Sequence, residues 1–303
     1  MFLPSCIARQ WGLPGEQHKV VLIWNRMTKN QIVLFTTIML VIGLVCRISD
    51  PSLKDFNNQN LATLLWLISP FFLMLIFRGI NKDWRSFGVR FQFKKNWTWY
   101  IISLLLYPII IGLILTIGAI AETIEFTNSF SVLTNSALAS IIPLFIKNIF
   151  EEFTWRGYLT PQFAKMGMSR FMNHIMVGII WALWHLPFLD LMIRSYSQLS
   201  LWVAFPLMFT GIIVTAFVYG EIRIGSSTIW TVIILHTAGN TITNPLISMN
   251  IIKLVSGTEY IASPTIDNMA YIFLMFIVAL ILFRLNSKIK HKISFNGPPR
   301  IRC

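Results

Sequence analysis

Glu151, Glu152 and Arg156 sit at the end of an apolar run long enough to cross a membrane, a setting in which ionisable side chains are costly and by default mark a functional site. On a helix Glu152 and Arg156 are i, i+4 partners on one stripe. Glu151 falls off that stripe and is left to face a cavity. Two other apolar runs carry polar residues at the same helical spacing: Trp181 with His185, and His236 with Asn240. An imidazole and an amide one turn apart on one face can address the same bound group. A carboxylate or imidazole that takes a proton from water, beside fixed donors for a developing oxyanion, is equipped to hydrolyse a peptide bond. Trp155, four residues after Glu151, would supply an apolar wall, and Lys147, four residues before it, would be an ion-pair partner.

Each element also has a plainer explanation. Lys147–Glu151 and Glu152–Arg156 can be two ion pairs that neutralise a helix end, which is how bundles tolerate ionisable residues. A lone histidine can be a hydrogen-bonded core residue, Asn240 interhelical glue, and Trp181 and Trp184 packing or interfacial belt. Taken together, these explanations must place Glu, Glu, Arg, His, His and Asn inside hydrocarbon independently. Convergence of Glu151, His185, His236 and Asn240 on one hollow is the more economical expectation.

The elements that must position these residues are membrane helices. Of 303 residues, 55% are hydrophobic and 12% charged, with a mean hydropathy of +0.65; a soluble domain carries roughly twice that charged fraction. Apolar runs recur at about 31–48, 61–77, 98–121, 132–156, 171–189, 201–220, 226–243 and 267–285. The fold class is therefore all-α, a polytopic membrane bundle of about eight transmembrane helices. Residues 1–30 form an N-terminal segment, with Met27 as an alternative start, 31–285 the transmembrane domain, and 286–303 a basic tail.

The formal charge of +13 lies between apolar runs, which points to lipid contact and excludes nucleic acid as the partner. Arg78, Lys82, Arg85, Arg90, Lys94 and Lys95 cluster in one loop, and the tail is basic, so both belong to the cytoplasmic side of a multi-pass protein in a bacterial plasma membrane. Eight spans put both termini there. The three cysteines, Cys6, Cys46 and Cys303, have no ligand-like spacing. Glu151 and His185 are nearly equidistant from the turn at Gly167-Met168-Ser169, so antiparallel pairing sets them at one depth. Glu151 then lies about 25 Å from that turn, and the hairpin must project beyond the bilayer or fold back at Pro161.

Glu-Glu-x-x-x-Arg, then aromatic-x-x-x-His, then His-x-x-x-Asn, on three helices of an eight-span bundle, resembles the CAAX prenyl endopeptidase and bacteriocin-processing (CPBP, formerly Abi) family of intramembrane proteases. The resemblance covers roughly 150–245 and extends to Arg156-Gly157-Tyr158-Leu159; Trp181 stands where the family usually has Phe. It implies an endopeptidase acting on a lipidated or hydrophobic peptide, in CAAX-type processing or in bacteriocin maturation and self-immunity. Glu151 would activate water with help from His185, His236 and Asn240 would steady the water or the oxyanion, and Glu152 and Arg156 would support the site. The family is described both as metalloproteases and as metal-free glutamate enzymes. Zinc, if present, would take Glu151, His185 and His236, but no His-Glu-x-x-His motif occurs and the metal-free form is the expectation, with no cofactor. The alternatives are a non-catalytic immunity or partner-binding membrane protein of the same fold and a transporter with a proton relay.

Overall fold

The computed structural model describes residues 27–49, 60–84, 88–197, 199–261 and 263–295; Arg85, most of the 1–30 segment and the end of the basic tail lie outside them. The long helices are α1 (Lys29–Ser49), α2 (Leu61–Asn81), α3 (Phe93–Ile120), α4 (Phe130–Thr154), α6 (Arg170–His185), α8 (Leu201–Ser226), α9 (Trp230–Ser248) and α10 (Met269–Phe295). Two short helices are inserted, α5 (Thr160–Lys165) and α7 (Leu189–Tyr196), and two three-residue strands, β1 (Ile124–Phe126) and β2 (Ile252–Leu254), pair antiparallel with Glu125 opposite Lys253. Seven of the long helical segments are apolar enough to cross a membrane, which fits a multi-pass integral membrane protein. The eighth, α9, is not among them. It carries His236, Thr237, Asn240, Thr241, Thr243 and Asn244, and because α3, α4 and α8 pack around it, it is not obliged to be apolar.

The chain crosses the bundle eight times all the same. At one end Asn96 donates to the Ser226 carbonyl (2.6 Å), Trp230 to the Val89 carbonyl (2.9 Å), Lys165 pairs with Asp83 (2.6 Å), Asn286 donates to the Glu221 carbonyl (2.9 Å), and the Met27 N–H to Gln162 (2.8 Å). The loop after α2, the turns after α5 and α8, and both ends of the described chain therefore lie together. At the other end are the β1–β2 pair and the Arg47–Asp190 contact (3.1 Å). The first end holds Lys82, Arg90, Lys94, Lys95, Lys165, Arg170 and Arg223, against Asp83 and Glu221; the second holds Glu122, Glu125, Asp190, Glu259 and Asp267, against Arg47, Arg194 and Lys253. This is the loop asymmetry that the sequence led us to expect.

The α4–α6 hairpin does not fold back at Pro161. Helical structure runs without a break from Phe130 to Lys165, about 54 Å at 1.5 Å per residue against a hydrocarbon core of about 30 Å, so its basic end projects. A π-helical turn, Trp155–Leu159, interrupts it. Such a turn rotates the faces of the helix on its C-terminal side, and here the Gly157 carbonyl accepts from Arg78 of α2 (2.6 Å).

The connection from Val255 to Asn268 turns inward. Ser263, Asp267 and Asn268 are buried, and the Ile266 carbonyl lies against Gly211, ten residues into α8. Irregular backbone at such a depth is tolerated only where protein covers it or a cavity adjoins it. The Met269 N–H to Tyr260 carbonyl bond (3.0 Å) and the Asn268 amide on the Glu259 carbonyl (2.8 Å) close its base. A Cβ on Gly211 would meet the Ile266 oxygen at 1.9 Å. Gly211→Ala is expected to destabilise the fold by about 1–3 kcal/mol, read as a lower thermal midpoint in detergent together with faster proteolysis at 255–268; an unchanged midpoint would contradict the close approach.

Candidate functional site

Side chains from α4, α6 and α9 meet between the helices. Glu151, His185, His236 and Asn240 all line one cavity of about 210 Å³, with Trp66, Trp181 and Trp184 among its walls. Glu151 is 3% exposed, His236 5% and His185 8%, so these groups sit at its closed inner part. The half-buried liners Leu144, Lys147, Ser197, Thr243, Asn244 and Thr265 lie toward the end that carries β1 and β2. The more exposed part of the lining is therefore on that side, away from the basic end.

The two glutamates have different surroundings, as their helical positions dictate. Glu152 is fully buried and its Oε1 receives both Arg156 Nη1 (3.0 Å) and His236 Nδ1 (2.8 Å). The Arg156 guanidinium lies over the rings of Trp181 (4.4 Å) and Tyr219 (4.8 Å), which face its remaining charge. Glu151 is contacted at Oε1 by Lys147 Nζ (2.6 Å) and at Oε2 by the Trp181 indole N–H (3.1 Å). Both i, i+4 ion pairs of the plainer explanation thus form, yet one of them borders the cavity and the other underlies it.

The histidines are held by their Nδ1 atoms. His185 Nδ1 is 2.8 Å from the Trp181 carbonyl, which can only accept, and His236 Nδ1 faces the Glu152 carboxylate. Each Nδ1 therefore carries the proton, and each Nε2 is left as the nitrogen free for a ligand or water. Asn240 donates one amide hydrogen to Asn148 Oδ1 (3.3 Å), and Asn148 donates to Thr237 (3.2 Å). The second Asn240 hydrogen is unspent.

Several members of this site have no motif in the sequence. Asn148, fully buried, orients Asn240. Tyr107, Tyr219, Tyr271 and Thr215, from three helices, link their hydroxyls at 2.9, 2.9 and 3.0 Å along the cavity wall. The available signal was a phenol inside an apolar span, which requires a partner when buried. Trp155 is not the wall expected of it: it keeps its place one helical turn after Glu151 but packs against Trp184, at 5.7 Å between rings, and Trp66 and Trp184 line the cavity instead.

The donor set is a poor fit to zinc. A metal ligated by Glu151 would compete with an ammonium 2.6 Å from Oε1, and among the described residues no three His, Cys, Asp or Glu side chains converge as a ligand set.

The family model described as type II CAAX prenyl endopeptidase Rce1-like matches residues 133–242, a stretch that contains α4, α6, α8 and the part of α9 with His236 and Asn240. Comparison with curated proteins gives no match.

Removing one partner from a buried ion pair leaves an uncompensated charge. Arg156→Met is expected to cost about 3–5 kcal/mol of stability, and Glu152→Gln combined with Arg156→Met to recover a good part of it. A thermal-melt double-mutant cycle in detergent measures the coupling; additive losses would mean that the pair does not interact as described.

Proposed function

We propose, for a chain that belongs over residues 133–242 to the type II CAAX prenyl endopeptidase Rce1-like family and is at that level an intramembrane CAAX-type protease, that Glu151 is the base that activates water against a peptide bond. The observation that carries this reading is the shared cavity, where Glu151, His185, His236 and Asn240 border one space from three helices. Water that donates one hydrogen to a free histidine Nε2 gives the other, as a proton, to Glu151 as its oxygen bonds to the scissile carbonyl carbon. The second amide hydrogen of Asn240 then meets the oxyanion. As the tetrahedral intermediate collapses the C–N bond breaks, and Glu151 returns the proton to the leaving amine. Glu152 and Arg156 act through His236, whose ring they hold. No step passes through a metal.

The substrate on this reading is a hydrophobic or lipidated peptide. The placement of the exposed lining bears on its source. Lys- and Arg-rich loops mark the cytoplasmic side, and the more exposed part of the cavity lining lies toward the opposite end. This favours a peptide reached from the far side of the membrane, as in bacteriocin maturation or self-immunity, over a cytosolic prenylated one. A second reading, a non-catalytic immunity or partner-binding protein, draws on the Lys147–Glu151 contact, which needs no catalysis to explain it.

Glu151→Gln is expected to abolish cleavage of hydrophobic peptides, a loss of at least about 10²-fold, while insertion and thermal midpoint stay near wild type. Asn240→Ala should lower kcat by about 10²–10³ with little change in KM. A phenotype that persists in Glu151→Gln would favour the binding protein. Single cysteines at Thr243 and Lys94 should react with membrane-impermeant maleimide from opposite sides of the membrane, Thr243 from outside the cell; the reverse pattern would refute the assigned orientation.

A further inference from the structure

Away from Glu151, the cavity wall includes a carboxylate that the reaction above does not use. Asp267 is 4% exposed, lines the same cavity, and its Oδ2 has no hydrogen-bond partner. It belongs to the inward-turned 255–268 connection, which Gly211 admits against α8. Burial pushes its carboxyl above the usual carboxylate range, outweighing the hydrogen bonds it receives from Ser197 and Thr265. Its polar neighbours along the wall, Ser197, Asn244 and Thr265, are neutral, and the lysine on the wall, Lys147, is engaged with Glu151 at 2.6 Å. A buried polar atom without a partner is an unmet demand, and this one belongs to a residue on the wall of the space where substrate would lie.

We propose that Asp267 is a specificity-determining residue that receives the ammonium or guanidinium of a Lys or Arg in the peptide substrate, so that the cavity selects a hydrophobic peptide bearing one cationic side chain near the cleaved bond. The inference rests on the protease reading for its substrate class. Met208 and Ile212 line the same cavity and give the aliphatic stem of such a residue an apolar track, while the charged head meets the carboxylate.

The test uses the full-length protein in lipid nanodiscs and fluorophore-labelled apolar decapeptides in which one residue, walked through every position, is Lys, Arg, norleucine, citrulline or Glu. Binding is measured in the Glu151→Gln background, so that no peptide is cut, and cleavage in the protein with Glu151 intact. At the responsive position Lys and Arg peptides should bind at least about tenfold tighter than norleucine and citrulline ones. That ratio should collapse toward one in Asp267→Asn, persist in Asp267→Glu, and turn in favour of Glu peptides in Asp267→Lys. A wild-type chain with no cationic preference, or a preference that survives Asp267→Asn, overturns the proposal, the first whether or not the variants fold. Cationic preference in binding with no cleavage of any peptide brings down the protease reading alone. Cleavage without the preference brings down the subsite alone.

Discussion

A carboxylate enclosed by helices must be met by partners at contact distance, and Glu152 meets that constraint by giving one oxygen to two groups from different directions. Arg156 reaches it from its own helix and His236 from α9. The arginine spends its other face on two aromatic rings, one from α6 and one from α8, so a single buried charge pair ties four helices into one register. The cavity, the orientation of His236 and the position of Trp181 above Glu151 all follow from that knot. The desolvation cost of such a pair is large, and a bundle held only by apolar packing would not require it. What the pair provides is uniqueness of arrangement around the place where Glu151 stands.

Most of that place was legible in the chain because its signals are local. Glu152 and Arg156, Trp181 and His185, and His236 and Asn240 are each one helical turn apart, and a polar pair in hydrocarbon is conspicuous. The span pattern was equally open to reading, including α9, whose central polar residues leave it short of a lipid-facing helix and yet still mark a helix by their period. Equidistance of Glu151 and His185 from the turn led to the expectation that they meet, and both line the same cavity.

What could not be read depends on register between distant segments. The π turn at Trp155–Leu159 has no composition of its own, and the packing of Trp155 against Trp184 rather than on the cavity depends on a partner from another helix. The hydroxyl chain of Tyr107, Tyr219, Tyr271 and Thr215 joins residues up to 164 apart, so no window along the sequence brings them together. Asp267 fell at the edge of the last apolar run, and nothing nearby says that Gly211, far upstream, leaves room for the backbone before it to turn inward.

Among the described residues, the 255–268 connection is fastened by the Thr123 carbonyl, by its own Tyr260–Met269 closure and by the hydrogen bond of Asp267 with Ser197, none of them on the helices that bear Glu151, His185 or His236. The reactive frame and the wall that a substrate side chain would touch are therefore borne by separate stretches of chain with separate anchorage. A protein built this way can change its diet by rewriting a single short cassette, leaving intact the costly charged scaffold on which hydrolysis would depend.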